Sequence, residues 1–257
     1  METSPDRWVG ALRHSHDRLQ ALVVPLDLAG LEQGSYASEW SIAQVLSHLG
    51  SQAEIFGLFL EAGLTGQEPP GRDAFVPLWT TWNAKDPQAQ ATDGLRADEA
   101  TMEQFESLDP DQRAALRLHM FGMDTDFTGL ARMRLGEHAV HTWDVAVALD
   151  PTATVAPDAV ALLIDTIGQL AARTAKPDEK PRRIRVTTSH PERHFVLETG
   201  DAVTLTESDG EEGLPELRLP AEAFVRLVYG RLGPHHTPPV EADGVDLDEL
   251  RQLFPGF

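Results

Sequence analysis

Three side chains that can bind a metal or move a proton share one stripe of a segment with helical character. The stretch RLGEHAVHTWD, residues 134–144, holds Glu137, His141 and Asp144 among apolar residues. At about 100° per residue, offsets of four and seven return to within roughly 40° of the starting direction. The three side chains therefore share one face of a helix. That face is either exposed to water or turned inward, where it can hold a ligand.

The spacing of Glu137 and His141 is the feature that favours metal binding. Side chains at positions i and i+4 of a helix can chelate one ion from the same face. The pattern is weak by itself, because a solvated pair on a helix surface has the same spacing. His48 lies in VLSHLG, on a second apolar segment with helical spacing. A His from one helix and a Glu–His pair from a facing helix would complete a three-ligand site inside a bundle.

The composition narrows the classes of function. The chain has 257 residues, a net charge of −20 and no cysteine. So acidic a protein repels phosphate backbones, which argues against nucleic acid as a partner. Without cysteine, disulfides and Cys metal ligands are excluded, and any thiol chemistry needs a thiol from outside. The sequence has neither a long apolar run nor a leader with signal-peptide layout, which predicts a cytoplasmic protein without membrane contact.

The first part of the chain reads as helices. Apolar residues at helical spacing predict four long helices, over residues 5–24, 41–62, 90–107 and 126–149. Ser41 and Gln44 have the spacing of a capping box, which predicts where the second helix begins. The Pro- and Gly-rich residues 63–87 are predicted to be a long loop with a short helical piece near Trp79 and Trp82. Four helices with one long connection are typical of a four-helix bundle.

The pattern changes after ALDPTATVAPDA, residues 148–159. A helix over residues 158–174 is followed by short β-branched runs between turn signals, which predict a small antiparallel sheet. Two further helical stretches close the sequence. We therefore predict an α+β protein with a helical domain over residues 1–150 and a small α+β domain over residues 151–257.

Two of these helices also carry a family resemblance. SEWSIAQVLSHLGSQAEIF and RMRLGEHAVHTWDVAVAL resemble the signatures of the DinB-like metal-binding four-helix bundles. Both are especially similar to the mycothiol-dependent maleylpyruvate isomerase family, and LPAEAFVRLVYGRL resembles the second domain of that family. The resemblance implies a DinB-like bundle followed by a small α+β domain.

The same resemblance implies a set of site residues. Zn²⁺, or another divalent metal, would be bound by His48, Glu137 and His141, with a fourth position open to water or a thiolate. Mycothiol would be the thiol cosubstrate. The resemblance also implies a role in activity for Arg231, whose guanidinium fork suits a carboxylate. The alternative for Arg231 is a basic residue placed after a helix by the helix dipole.

Asp144 and the other His residues leave more than one interpretation. Asp144 could hydrogen-bond a ligand His, act as a base, or be an ordinary residue of the helix surface. His138 follows Glu137 directly and points about 100° away, so we predict that it is not a ligand. His14, His16 and His119 are scattered, and the sequence assigns them no role.

Two thiol-dependent reactions on an electrophilic small molecule fit this set. In S-transfer the thiol stays on the substrate, whereas in cis–trans isomerisation it adds to a conjugated double bond and leaves after rotation. S-transfer is favoured, because an isomerase pocket for a dicarboxylate would hold more than one Arg, and the one positioned candidate is Arg231, with Arg72 possible in the long loop. The alternatives are a metal-dependent hydrolase and a non-catalytic metal- or ligand-binding protein. The expected state is a monomer or a homodimer.

Overall fold

The computed structural model describes residues 4–37, 39–120, 122–178, 180–208 and 211–256. It divides into two compact units, Met1–Thr154 and Val155–Phe257. In the described part of the chain, no helix is both long enough and apolar enough to span a membrane.

The first unit is a helical bundle with a short hairpin. Its elements in chain order are α1 (Pro5–Val23), α2 (Leu28–Glu32), α3 (Ile42–Thr65), α4 (Arg72–Asn83), α5 (Pro87–Ser107), α6 (Pro110–Ala115), β1 (Arg117–Met120), β2 (Met123–Asp126) and α7 (Phe127–Leu149). The four long helices pack chiefly as two pairs, α3 on α5 and α1 on α7. Their apolar faces form the core of the unit, as helix amphipathicity requires.

The start of α3 is fixed by side chains close to it in sequence. The Ser41 hydroxyl accepts a hydrogen bond from the Gln44 backbone N–H (3.2 Å), and the Gln44 side chain accepts one from the Ser41 N–H (2.9 Å). This reciprocal pair confirms the predicted capping box. Because the first turn is fixed, His48 lies in the second turn of α3.

The backbones of α3 and α5 approach closely at glycines. A Cβ atom added to Gly94 would lie 2.6 Å from the carbonyl oxygen of Leu46, two residues before His48. A Cβ atom on Gly50 would lie 3.0 Å from the Cα atom of Gly94 and would also collide with the Trp82 ring of α4. Because these glycines have no side chain, α3 and α5 can pack this closely.

Two segments between the long helices differ from the prediction. Residues 72–83 of the predicted loop form α4, a full helix that buries Phe75 and Trp82 despite containing Pro77. The hairpin of β1 and β2 was not predicted, since its four-residue strands are too short for a clear alternation. Both depend on packing against the long helices, which local sequence patterns do not record.

The second unit combines helices with a five-stranded sheet. Its elements are α8 (Pro157–Leu163), a 3₁₀ turn (Ile164–Thr166), α9 (Ile167–Thr174), β3 (Arg182–Ser189), β4 (Arg193–Thr199), β5 (Thr204–Glu207), β6 (Glu216–Pro220), α10 (Ala221–Val228), a second 3₁₀ turn (Pro234–His236), β7 (Glu241–Asp243) and α11 (Leu247–Leu253). The predicted α+β class is confirmed.

The order of strands in this sheet is β5-β4-β3-β6-β7. Neighbouring strands are antiparallel except β3 and β6, which are parallel. Alternate residues of β3, Ile184 and Val186, are buried, and α10 packs against β3 and β6. The sheet is thus mostly antiparallel, as predicted, with β7 as an edge strand that was not predicted.

Candidate metal centre

The structure brings together the three predicted ligands. His48 projects from α3, and Glu137 and His141 project from α7. The Glu137 Oε2 atom lies 3.6 Å from Nε2 of His48 and 3.8 Å from Nε2 of His141. The two imidazole ring centroids are 4.7 Å apart. One donor atom from each residue therefore faces a common point.

The donor spacing fits a small divalent cation. Zinc–ligand distances of about 2.0–2.1 Å and tetrahedral angles place neighbouring donors about 3.3 Å apart. The observed separations of 3.6 and 3.8 Å exceed that by a few tenths of an ångström, which small side-chain rotations can remove. Two imidazoles and one carboxylate suit Zn²⁺ but also other divalent transition metals.

The buried His48 Nε2 atom is the clearest sign that a ligand belongs here. In the part of the chain that the structure describes, it has no hydrogen-bond partner. The nearest carboxylate oxygen, Oε2 of Glu137, is 3.6 Å away, which is beyond hydrogen-bond length. A buried polar atom without a partner costs free energy, and a cation between the three residues would remove that cost.

The protonation states of the site suit metal binding. Burial lowers the pKa of His48 below its ordinary value, although Glu137 acts in the opposite direction. Burial alone would raise the pKa of Glu137, but His48, His141 and a hydrogen bond from Gln52 together lower it to about 2. At neutral pH the His48 imidazole is therefore neutral and the Glu137 carboxylate is ionised, as metal coordination requires.

Asp144 lies behind the site and contacts His141. Its Oδ2 atom is 2.9 Å from His141 Nδ1, and its side chain is fully buried. The surface interpretation of Asp144 is therefore wrong. The bond places the ring proton on Nδ1, so that the lone pair on Nε2 of His141 faces Glu137.

Trp40 covers the two imidazoles from one side. Its ring centroid lies 4.9 Å from that of His48 and 5.9 Å from that of His141. Trp40 belongs to the segment before α3, which is attached to α7 by a hydrogen bond from the Tyr36 N–H to the Asp144 carbonyl (3.0 Å). The indole limits the access of water to this side of the donors.

A polar network beside this site was not predicted from the sequence. Gln52 donates from Nε2 to Glu137 Oε2 (2.9 Å), and Arg134 donates to Gln52 Oε1 (3.2 Å). Arg134 also donates to Asp98 Oδ1 (2.5 Å). The one sequence signal was spacing. Gln52 lies four residues after His48 and Arg134 three residues before Glu137, so each shares a helix face with a candidate ligand.

His138 points away from the candidate ligands, as predicted, into a second cluster with His16 and Asp98. The Asp98 Oδ2 atom is 2.7 Å from His16 Nδ1 and 2.7 Å from His138 Nε2. The Ser15 hydroxyl lies 2.8 Å from His138 Nδ1. These three groups also have metal-ligand types. However, they already form direct hydrogen bonds, shorter than the roughly 3.3 Å donor spacing of a shared zinc ion.

Arg231 belongs to the second unit and follows α10. It is half-buried, and its Nη1 donates to the Tyr229 carbonyl at 3.1 Å. Its backbone N–H donates to the Arg226 carbonyl at 2.6 Å. These contacts suit the alternative of a structural residue after a helix, and a role in activity stays a prediction. Arg72 is exposed at the start of α4.

Comparison with known proteins places the chain in a family. The sequence profile of the mycothiol maleylpyruvate isomerase N-terminal domain matches residues 12–146, more than half of the chain. The fold is similar to a crystal structure of the mycothiol-dependent maleylpyruvate isomerase, with a TM-score of 0.67 at 13% identity over 89% of this chain and 90% of that one. A variant of that enzyme with one His replaced by Ala gives the same values. No curated protein sequence matches significantly. Through its helical bundle, the chain belongs to the mycothiol maleylpyruvate isomerase family.

Proposed function

We propose that the chain is a zinc-dependent enzyme that uses mycothiol to attack an electrophilic small molecule. His48, Glu137 and His141 would hold the metal. The observation that carries the proposal is the buried Nε2 of His48, which has no hydrogen-bond partner among the described residues and faces the Glu137 carboxylate. A bound Zn²⁺ lowers the pKa of a coordinated thiol, so that a thiolate is available at neutral pH.

The surrounding residues would prepare this site. Asp144 fixes the tautomer of His141, and Trp40 shields the imidazoles on one side. A chain without cysteine has no thiolate of its own, so the sulfur must come from a cosubstrate. The name of the similar solved enzyme supports mycothiol in that role.

Two reactions follow from a thiolate at such a site. In S-transfer its sulfur bonds to the electrophile and displaces a leaving group or opens a ring. In isomerisation its sulfur adds to a conjugated double bond, the resulting single bond rotates, and the thiolate leaves. S-transfer is our first candidate, because a dicarboxylate pocket would need more than one Arg, and the sequence predicts Arg231 for that role, with Arg72 only as a further possibility. The maleylpyruvate isomerase activity named for the similar structure makes isomerisation the second.

The test is a zinc-loaded protein supplied with mycothiol and either an aryl chloride electrophile or maleylpyruvate. We expect one equivalent of zinc and thiol-dependent formation of a conjugate or of the trans isomer. His48→Ala and His141→Ala should abolish both metal binding and turnover. His14→Ala, exposed on α1, is the matched control and should change neither.

Each alternative predicts a different result. Turnover that persists without any thiol would identify a hydrolase. Full zinc occupancy without turnover on any tested electrophile would indicate a binding protein. A wild-type protein that binds no divalent metal would overturn the proposal.

A further inference from the structure

A chain of hydrogen bonds connects the Glu137 carboxylate to charged groups inside the bundle. Gln52 donates to Glu137 Oε2 (2.9 Å), the same oxygen that faces His48 and His141. Arg134 donates to the Gln52 side-chain oxygen (3.2 Å) and to Asp98 (2.5 Å). The chain thus crosses from α7 to α3, back to α7 and on to α5.

The neighbours of Gln52 allow its amide one orientation. A guanidinium can only donate hydrogen bonds, and an ionised carboxylate can only accept them. The amide oxygen must therefore face Arg134, and the amide NH₂ group must face Glu137. The reverse orientation would set donor against donor and acceptor against acceptor. Gln52 is suited to join a buried cation to a carboxylate, because it offers one acceptor and one donor group.

Arg134 provides a rigid attachment for this amide. Its side chain is completely buried, and its Nη2 also donates to the Leu49 carbonyl at 3.2 Å. Its guanidinium lies 5.7 Å from the centre of the Phe56 ring. Asp98, its charge partner, is held in turn by His16 and His138. These contacts hold the Arg134 guanidinium in place, so the Gln52 amide is anchored on the side away from Glu137.

We propose that Gln52 is a positioning residue, anchored by Arg134 and Asp98, that holds the Glu137 carboxylate toward His48 and His141. This inference rests on the proposed metal site. The Glu137 side chain is 28% exposed, and without the amide it could rotate toward water. Ordering it again would then weaken metal binding, because a flexible side chain loses rotamer freedom when it coordinates.

The test is Gln52→Met, which keeps the side-chain length and removes both hydrogen bonds. We expect Zn²⁺ affinity, measured by competition with a chelator, to fall by about 10-fold. The melting temperature of the metal-free protein should fall by only a few degrees, because Gln52 is half-buried and Arg134 keeps its bonds to Leu49 and Asp98. Gln88→Met, at an exposed position of α5, is the matched control and should leave the affinity unchanged.

The visible spectrum of the Co²⁺-loaded protein provides a second readout. It should differ between wild type and Gln52→Met, because the absorption depends on how the carboxylate binds, and a merely structural role would leave it unchanged. Arg134→Lys keeps the positive charge beside Asp98 but loses the guanidinium fork. It should weaken Zn²⁺ binding in the same direction, and combined with Gln52→Met it should add little.

The outcomes separate this inference from the proposed function. If wild type binds Zn²⁺ and Gln52→Met binds it with equal affinity and an unchanged Co²⁺ spectrum, the positioning role is overturned while the metal site stands. If wild type does not bind Zn²⁺, both are overturned.

Discussion

The first unit contains two clusters built from the same residue types, with opposite organisation. In the candidate metal centre, the Glu137 oxygen stands 3.6 and 3.8 Å from two imidazole nitrogens. In the second cluster, the Asp98 oxygen stands 2.7 Å from each of two imidazoles, His16 and His138. Each cluster joins two His residues and one carboxylate from neighbouring helices.

The difference lies in what completes each cluster. The second cluster is closed by the protein itself, since Arg134 neutralises Asp98 and Ser15 approaches the far nitrogen of His138. The candidate metal centre leaves the buried His48 Nε2 atom without a hydrogen-bond partner among the described residues. Residue composition alone does not separate a metal site from a hydrogen-bonded core. The separation comes from donor spacing, since the second cluster also holds a buried nitrogen without a hydrogen bond, Nε2 of His16, which faces Glu99 Oε2 at 2.8 Å.

The largest effect on stability should come from breaking the second cluster, which consists of His16, Asp98 and His138. Asp98→Ala would leave the buried Arg134 guanidinium without its charge partner, which costs about 3–5 kcal/mol of unfolding free energy. Denaturant unfolding of the metal-free wild type and variant measures this loss of free energy. Glu137→Ala, tested the same way, should cost much less, because Glu137 is partly exposed and its cluster is open. Equal losses for the two variants would remove the distinction between the clusters.

Metal affinity should depend on the candidate metal centre and not on the second cluster. His48→Ala removes one of three protein donors, so Zn²⁺ affinity should fall by at least about 100-fold. His16→Ala should leave zinc stoichiometry unchanged in whatever fraction stays folded. Elemental analysis and chelator competition on the purified variants give both values. Loss of zinc from His16→Ala but not from His48→Ala would exchange the roles of the clusters.

A smaller effect is expected at Asp144. Asp144→Asn keeps the size but replaces a carboxylate acceptor with an amide, which weakens the hold on the Nδ1 proton of His141. Zn²⁺ affinity should fall by about 10-fold. Chelator competition beside His48→Ala measures the effect, and a loss as large as that of His48→Ala would contradict a supporting role.

The pH dependence of stability should distinguish the clusters more finely. Burial lowers the pKa of His48 and of His138, so below about pH 6.5 the unfolded chain binds protons that the folded chain does not. The metal-free protein should therefore lose stability on acidification below pH 6.5, by up to about 1.4 kcal/mol per pH unit for each proton. His48→Gln should remove the part of this pH dependence that comes from the candidate metal centre. Thermal melts of both proteins at several pH values measure the difference.

Asp98 should act at lower pH. Burial would raise its pKa, but the charges of His138 and Arg134 hold the pKa well below the ordinary value. The stability it contributes is present above about pH 3.9, the unfolded value, and is lost as pH falls toward the folded pKa. Asp98→Asn should abolish this second loss, and an unchanged acid limb in that variant would contradict it.

Local sequence signals predicted the parts of the fold that depend on nearby residues. The capping box placed the start of α3, and helical spacing placed Glu137 and His141 on one face of α7. The short helical piece predicted near Trp79 and Trp82 is part of the longer α4, whose full length was missed because burial of Phe75 and Trp82 stabilises it more than local propensity does. The β1–β2 hairpin was missed altogether. The parallel pairing of β3 with β6 likewise joins distant segments.

Local sequence signals did not predict the hydrogen-bond network behind Glu137. Gln52, Arg134 and Asp98 are separated by 36 residues or more in each contact, and one sequence carries no record of which polar residues meet. Residues of these types lie at the surface in most proteins, so polar character alone does not predict a buried network. The fold alone reveals that Arg134 and Asp98 are buried partners.

The close contact between α3 and α5 has a consequence for the metal centre. Gly94 touches the Leu46 carbonyl from a helix that supplies no ligand. A methyl group at that point would push α3 outward, and His48 would travel with it relative to α7. Gly94, which has no side chain and is not a candidate ligand, therefore sets the distance of His48 from Glu137 and His141.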